Sequence, residues 1–142
     1  MTEAELGEIQ RRASASGPPD GLRVTHDQPT TLAVAAFVAH AYDDVQQLVS
    51  GLRESRRPPD AELDAIEARA EAAGPLPWRH FLESDPAMAG SSLIWIGGAR
   101  DDMPDLYLWR GDHYAPDEDF VFIAHAREDI PRLVAEARAL VA

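Results

Sequence analysis

The sequence predicts an α+β fold, in which the helices of two diverged repeats surround one core and a small antiparallel β-hairpin is inserted in the second repeat. Two blocks of residues recur in the same order along the chain, and their apolar residues follow helical spacing. A β-rich segment lies between the two blocks of the second copy and is missing from the first. With 142 residues, 45% of them hydrophobic, we expect a single domain over residues 1–142 with one core.

The first block predicts one amphipathic helix in each copy. Residues 5–18 align with residues 62–75, and eight of the fourteen pairs are identical. Both blocks end in a Gly-Pro dipeptide, which stops a helix. The apolar positions that recur at helical spacing are Leu6, Ile9 and Ala13 in copy one, and Leu63, Ile66 and Ala70 in copy two.

The second block predicts a longer helical segment. Residues 36–49 align with residues 121–134, with seven of fourteen pairs identical and a shared Phe-x-Ala-His-Ala sequence. In copy one we expect an unbroken helix from about Thr31 to Arg53. In copy two, Pro131 predicts a helix that ends near Arg127, followed by a further helix with Asp129 as its N-cap.

The spacing of the blocks defines the boundaries of the repeats. The offset between copies is 57 residues for the first block and 85 for the second, so copy two carries 28 extra residues. Repeat one then spans about 4–53 and repeat two about 61–142. The charged segment 54–60, which contains paired prolines, is the predicted linker.

The 28 extra residues predict the hairpin. Residues 92–96 and 105–109 are short and rich in β-forming residues, with 97–104 as their connection, and residues 77–82 are a candidate third strand. Successive side chains of a strand point to opposite faces. One face therefore carries aliphatic residues, and the other carries aromatic ones: Ile94, Ile96, Leu106 and Leu108 against Trp95, Tyr107 and Trp109.

Composition limits the compartment and the class of partner. The chain has no cysteine, and its N-terminus has no leader pattern, so we expect a cytoplasmic protein. It has 25 acidic residues against 13 Lys and Arg, which gives a formal net charge of −12. Such a surface repels nucleic-acid phosphates and anionic membranes and attracts a basic partner, although acidity also serves solubility.

Two His-Asp pairs were considered as metal ligands. His40 and Asp44, like His125 and Asp129, are four residues apart, which places each pair on one side of a helix. Across a pseudo-two-fold axis they would form a donor set for a divalent metal. Carbonyl-bound histidines and helix-capping aspartates are commoner, so we expect no metal and no cofactor. No nucleophile elbow, phosphate loop or dinucleotide fingerprint is present, and we expect no catalytic residue and no enzyme.

The aromatic residues of copy two are the candidate binding residues. The face formed by Trp95, Tyr107 and Trp109 is either buried, against the copy-one helices or residues 16–30, or exposed as a patch that anchors a partner or a second subunit. The candidate set also includes another tryptophan and the polar residues around the hairpin: Trp78, Asp101, Asp102, Arg110 and Asp112.

Copy two resembles a widespread group of small bacterial and phage-encoded proteins. The resemblance rests mainly on residues 73–78 and 119–133, and it covers about residues 61–142. The group shares a Pro-Gly-Pro-Trp segment after a first helix and a C-terminal Phe-Ile-Ala-x-Ala-Arg-x-Asp-x-Pro-x-Leu segment. Some members are early phage accessory proteins, so the resemblance implies a fold and no catalytic residues.

We therefore expect a non-catalytic acidic interaction protein, such as a toxin-neutralising immunity protein or a phage accessory inhibitor, which engages a basic protein or self-associates. The alternative is a protein that binds or sequesters a nucleotide-like signal, in a pocket between the sheet and the copy-one helices that contains Trp78 or Trp95 together with Arg79 or Arg110. A metal-dependent hydrolase with a metal ion between His40 and His125 comes third.

Overall fold

The computed structural model describes residues 1–26, 32–85, 91–97 and 105–140. The predicted α+β class is confirmed, with helices and an antiparallel sheet in one chain. In chain order the elements are α1 (Glu3–Ser16), β1 (Leu22–His26), α2 (Leu32–Arg53), α3 (Asp60–Ala72), β2 (Arg79–Phe81), β3 (Leu93–Trp95), β4 (Asp105–Arg110), β5 (His113–Tyr114) and α4 (Asp117–Arg138).

The helices fall in pairs at the offsets that the sequence predicts. The N-caps of α1 and α3 are Thr2 and Pro59, 57 positions apart. Helices α2 and α4 both have 22 residues, and their first residues are 85 positions apart. Helix α1 ends before Gly17, whose φ of 80° lies in the left-handed region that glycine tolerates. The predicted helix boundaries are therefore right for α1, α2 and α3.

One core contains residues from both copies. Helices α2 and α4 pack against each other, and α1 and α3 each pack against both. Positions that align between the copies are buried in both, because each helix turns the same stripe inwards. The buried pairs are Leu6/Leu63, Ile9/Ile66, Ala13/Ala70, Phe37/Phe122, Val38/Ile123, Ala41/Ala126, Val45/Ile130, Leu48/Leu133 and Val49/Val134.

Helix α4 is continuous, so the predicted break after Arg127 is wrong. Pro131 lies inside the helix and removes one backbone hydrogen bond, to the carbonyl of Arg127. The neighbouring side chains of Ile130 and Leu133 are fully buried, and this burial on both sides of the proline keeps the helix in the core. Asp129 does not cap a helix; it is buried and forms a salt bridge with Arg12.

The strands form one antiparallel sheet in the order β1-β4-β3-β2, with β5 paired to β4. The predicted hairpin is confirmed as β3 and β4, and the candidate third strand as β2. Most of the predicted connection, residues 98–104, lies outside the described residues. The aliphatic face of the hairpin is buried on the helices, with Ile94, Leu106 and Leu108 at 0% exposure.

Strand β1 was not predicted. It lies within residues 16–30, the segment that we considered as a cover for the aromatic face. It pairs edge to edge with β4, so it widens the sheet. Among the described residues, no helix has the length and apolarity needed to cross a membrane.

Candidate functional site

The side of the sheet that faces away from the helices is rich in aromatic residues. Cross-strand register places Trp95 beside Arg79, Trp109 beside Arg23, and Tyr114 beside Trp109. We call this the outer sheet face, and its described side chains are Arg23, Thr25, Arg79, Phe81, Leu93, Trp95, Asp105, Tyr107, Trp109 and Tyr114.

The aromatic side chains of the outer sheet face are partly exposed. Trp95, Tyr107 and Trp109 are half-buried, and Tyr114 is 49% exposed. The face is therefore intermediate between the two arrangements expected from the sequence: it is not buried, and only Tyr114 among these four side chains is exposed.

The aromatic rings form two clusters that arginines cover. The rings of Trp109 and Tyr114 stack with centroids 4.1 Å apart, and the guanidinium of Arg23 lies 4.9 Å from the Trp109 ring. In the second cluster, Phe81 and Trp95 are 4.4 Å apart. The Trp109 indole donates a hydrogen bond of 2.9 Å to the hydroxyl of Thr25, which holds that ring in place. The rings of each cluster are therefore held in place before a partner binds, which lowers the entropic cost of binding.

Acidic residues flank one end of the outer sheet face. Asp20 precedes β1, Asp112 lies in the turn after β4, and Glu83 and Asp85 follow β2. All four are exposed, and we call them the acidic edge. Asp112 pairs with His113 at 3.3 Å. The candidates Asp101 and Asp102 lie outside the described residues.

Arg110 is fully engaged inside the chain. Its Nε and Nη2 atoms bind the carboxylate of Asp119, which is 0% exposed, at 2.9 and 3.0 Å. The remaining donors reach the carbonyl oxygens of Ser16, Pro18 and Asp20, at 2.7 to 3.1 Å. A guanidinium has five N–H donors, and each one here has an acceptor. Arg110 thus joins the end of α1, β4 and α4, and it has no donor left for a partner.

Trp78 is buried beneath the sheet rather than on its outer face. It is 7% exposed and makes an edge-to-face contact with Phe37, at 5.4 Å between centroids. Its indole nitrogen has no hydrogen-bond partner among the described residues. Trp78 therefore belongs to the core and to the wall of a neighbouring cavity.

That cavity, of about 290 Å³, lies between β2 and α4. It contains Trp78 together with Arg79, as the small-molecule alternative requires. Both of its walls belong to copy two, so it does not lie between the sheet and the copy-one helices. Burial lowers the pKa of His80 in this wall, and the neighbouring His125 lowers it further. The described residues that line it are Trp78, Arg79, His80, Ala124, His125 and Glu128.

The carboxylates of the two His-Asp pairs have other partners. Asp44 binds Arg69 at 2.9 Å, and Asp129 binds Arg12 at 2.7 Å. These ion pairs are equivalent, because the alignment of the copies matches Arg12 with Arg69 and Asp129 with Asp44. Each arginine reaches across to the other copy.

The imidazole of His125 lies beside that of His80, with ring centroids 5.5 Å apart. Its Nδ1 lies 2.8 Å from the carbonyl oxygen of Val121, which makes Nδ1 the donor. The described part of the chain contains no group of three side chains already arranged as metal ligands. This histidine pair could not be predicted from the sequence, since the two residues are 45 positions apart.

Three residues of the outer sheet face were not among the predicted site residues, because their strands were not predicted or were only loosely bounded: Arg23, Phe81 and Tyr114. The alternation of Leu22 and Val24 with Arg23 was the one local signal for β1. The chain has no significant match to any protein-family model, curated protein or solved structure.

Proposed function

We propose that the protein is a non-catalytic interaction protein that binds a basic protein partner through its outer sheet face. The observation that carries this proposal is the pair of aromatic clusters, with tryptophan, tyrosine and arginine side chains held in fixed positions and partly exposed. Those three residue types are enriched among the residues that dominate the energetics of protein interfaces. The two aromatic types offer a large contact area with few rotatable bonds.

The charge of the chain supports a basic partner. The acidic edge borders the outer sheet face, and the whole chain carries −12. A positively charged partner would be steered towards the chain at low salt, and its lysine or arginine side chains would pair with the acidic edge. A toxin-neutralising immunity protein or a phage accessory inhibitor is the kind of protein that works in this way.

Nucleic acid is the competing occupant, because aromatic platforms on sheets also stack unpaired bases. The charge of the whole chain argues against it, since neutralising phosphates takes a positive surface and the chain carries −12. We therefore favour a protein partner and treat nucleic acid as an outcome of the experiment.

The test is affinity capture from nuclease-treated extract of the source cell, with the wild type and a Trp95→Ala/Trp109→Ala variant. We expect the wild type to retain a basic protein at modest salt and to release it as salt rises. The double variant should bind the isolated partner at least tenfold more weakly in calorimetry, since two interface tryptophans each contribute more than about 1 kcal/mol.

Leu32→Ala is the matched control, because Leu32 is apolar, 89% exposed and on a helix. It should bind as the wild type does. Circular dichroism checks that the double variant stays folded. Equal binding by the double variant, or capture that occurs in untreated extract but not in nuclease-treated extract, would contradict the proposal.

The second candidate is the binding of a small molecule, and the cavity beside Trp78 and Arg79 is the observation in its favour. Native mass spectrometry of the purified protein tests it. A stoichiometric organic ligand, lost on denaturation, is the expected result under this hypothesis, and an unmodified chain mass in every preparation would contradict it.

A further inference from the structure

We propose that His80 and His125 form a binding site for a divalent cation that prefers nitrogen ligands, such as Zn²⁺, in the cavity between β2 and α4. His80 lies on the strand and His125 on the helix, so an ion held by both would join the edge of the sheet to α4. The proposed ligands are not side chains of the outer sheet face, and the site does not depend on the proposed function.

The first argument is the distance between the rings. Zinc binds a histidine nitrogen at about 2.1 Å, which places the centre of the ring about 3 Å from the metal. Two such rings at a tetrahedral angle have their centres about 5 Å apart. The observed separation of 5.5 Å between the centroids of His80 and His125 is close to that value.

The second argument is the orientation of His125. Because the carbonyl of Val121 only accepts, the proton of the uncharged ring is on Nδ1, and the lone pair is on Nε2. Histidines that bind metals usually donate their other nitrogen to a carbonyl or a carboxylate in this way, which fixes the ring and makes the ligating nitrogen more basic. His80 makes no hydrogen bond within the described part of the chain that would occupy its ring nitrogens.

Glu128 supplies the third ligand. It lies three residues after His125, on the same side of α4, and lines the same cavity. Its side chain is exposed, and rotation about its bonds brings the carboxylate towards the two imidazoles. Since no three ligands are already grouped in the described residues, binding includes this rotation, and water completes the coordination.

Copy one contains half of the same arrangement, which gives a matched control. His40 and Asp43 align with His125 and Glu128, and both are exposed on α2. Among the described side chains, no second imidazole contacts His40. A site that needs two imidazoles will therefore form beside His125 and not at His40.

The experiment is calorimetric titration of Zn²⁺ into the metal-stripped full-length protein. We expect one site per chain, binding at least tenfold weaker in His125→Gln and His80→Gln, and several-fold weaker in Glu128→Gln. His40→Gln should bind as the wild type does. Glutamine keeps a polar side chain of similar size. Because His125 is only half-buried on α4, we expect His125→Gln to fold. This variant alone tests the proposal if His80→Gln does not fold.

Imidazole ¹⁵N spectra provide a readout that is independent of affinity. The Nε2 signal of His125 and one nitrogen signal of His80 should shift with Zn²⁺, and the signals of His40 and His113 should not. The proposal is overturned if no site saturates, or if binding survives both glutamine variants, which would mean an adventitious ion on the acidic surface. Competition by an equal concentration of Mg²⁺ would also overturn it, since that ion prefers oxygen ligands.

Discussion

Arg110→Ala is expected to destabilise the protein by about 3–5 kcal/mol, the usual cost of removing one partner of a buried ion pair. The substitution leaves the carboxylate of Asp119 without its guanidinium in a fully buried position. It also removes the donors to three carbonyl oxygens of the segment that joins α1 to β1. Urea unfolding at pH 7 measures the loss as a lower midpoint.

Arg56→Ala is the control for this measurement. Arg56 forms an ion pair with Glu54, but both side chains are largely exposed, so the expected change is below about 0.5 kcal/mol. Arg110→Lys keeps the charge and loses most of the hydrogen bonds. Its loss of unfolding free energy should lie between those of Arg56→Ala and Arg110→Ala. A loss below about 1 kcal/mol in Arg110→Ala would contradict the structural role of this arginine and leave it available to a partner.

The helices could be predicted because two aligned blocks of the sequence show the same apolar spacing. The first block alone is a short amphipathic pattern, but its two copies show the same buried positions, such as Leu6 with Leu63 and Ile9 with Ile66. Local signals were also sufficient at the ends, where a Gly-Pro dipeptide follows each helix of this pair.

Tertiary packing overrode a local signal in α4. Pro131 resembles the first turn of a new helix, and the sequence offers no measure of how much burial would offset the lost hydrogen bond. In the structure, Ile130, Leu133 and Val134 are all fully buried around the proline, and this burial offsets the lost backbone hydrogen bond.

The residues of one strand that share a face could be predicted from the sequence, but the contacts between neighbouring strands could not. Alternation along β4 placed Tyr107 and Trp109 on one face, and this was right. Strand pairing is not a local property, so Arg23 over Trp109 and Phe81 against Trp95 could not be found from the sequence. The contact between His80 and His125 joins a strand to a distant helix, and no periodicity indicates it.

Arg69→Met is expected to cost about 3 kcal/mol at pH 7 and much less near pH 4, because it leaves the buried carboxylate of Asp44 without its cation. Burial already raises the pKa of Asp44 above its ordinary value, even though the hydrogen bond and charge of Arg69 act to lower it. Without Arg69, the pKa in the folded state rises further.

The raised pKa of Asp44 determines how the stability of Arg69→Met changes with pH. A buried carboxyl whose pKa is raised in the folded state does not reduce the free energy of unfolding below its unfolded-state pKa of about 3.9, because it is protonated in both states there. Stability is then lost as the pH rises through the folded pKa, because the unfolded chain gives up the proton more readily. The difference in unfolding free energy between the variant and the wild type should therefore grow from pH 4 to pH 7, which urea titrations at several pH values measure.

The two copies provide the control that makes this interpretation specific. Arg12→Met removes the equivalent cation from Asp129, but Arg132 lies 3.8 Å from that carboxylate and remains to neutralise it, so the loss should be smaller. Asp44→Asn added to Arg69→Met should recover most of the stability at pH 7 and almost none at pH 4, because an amide cannot ionise. A loss in Arg69→Met that is the same at every pH would mean that the arginine acts by packing its stem, and that the charge it brings to Asp44 contributes nothing.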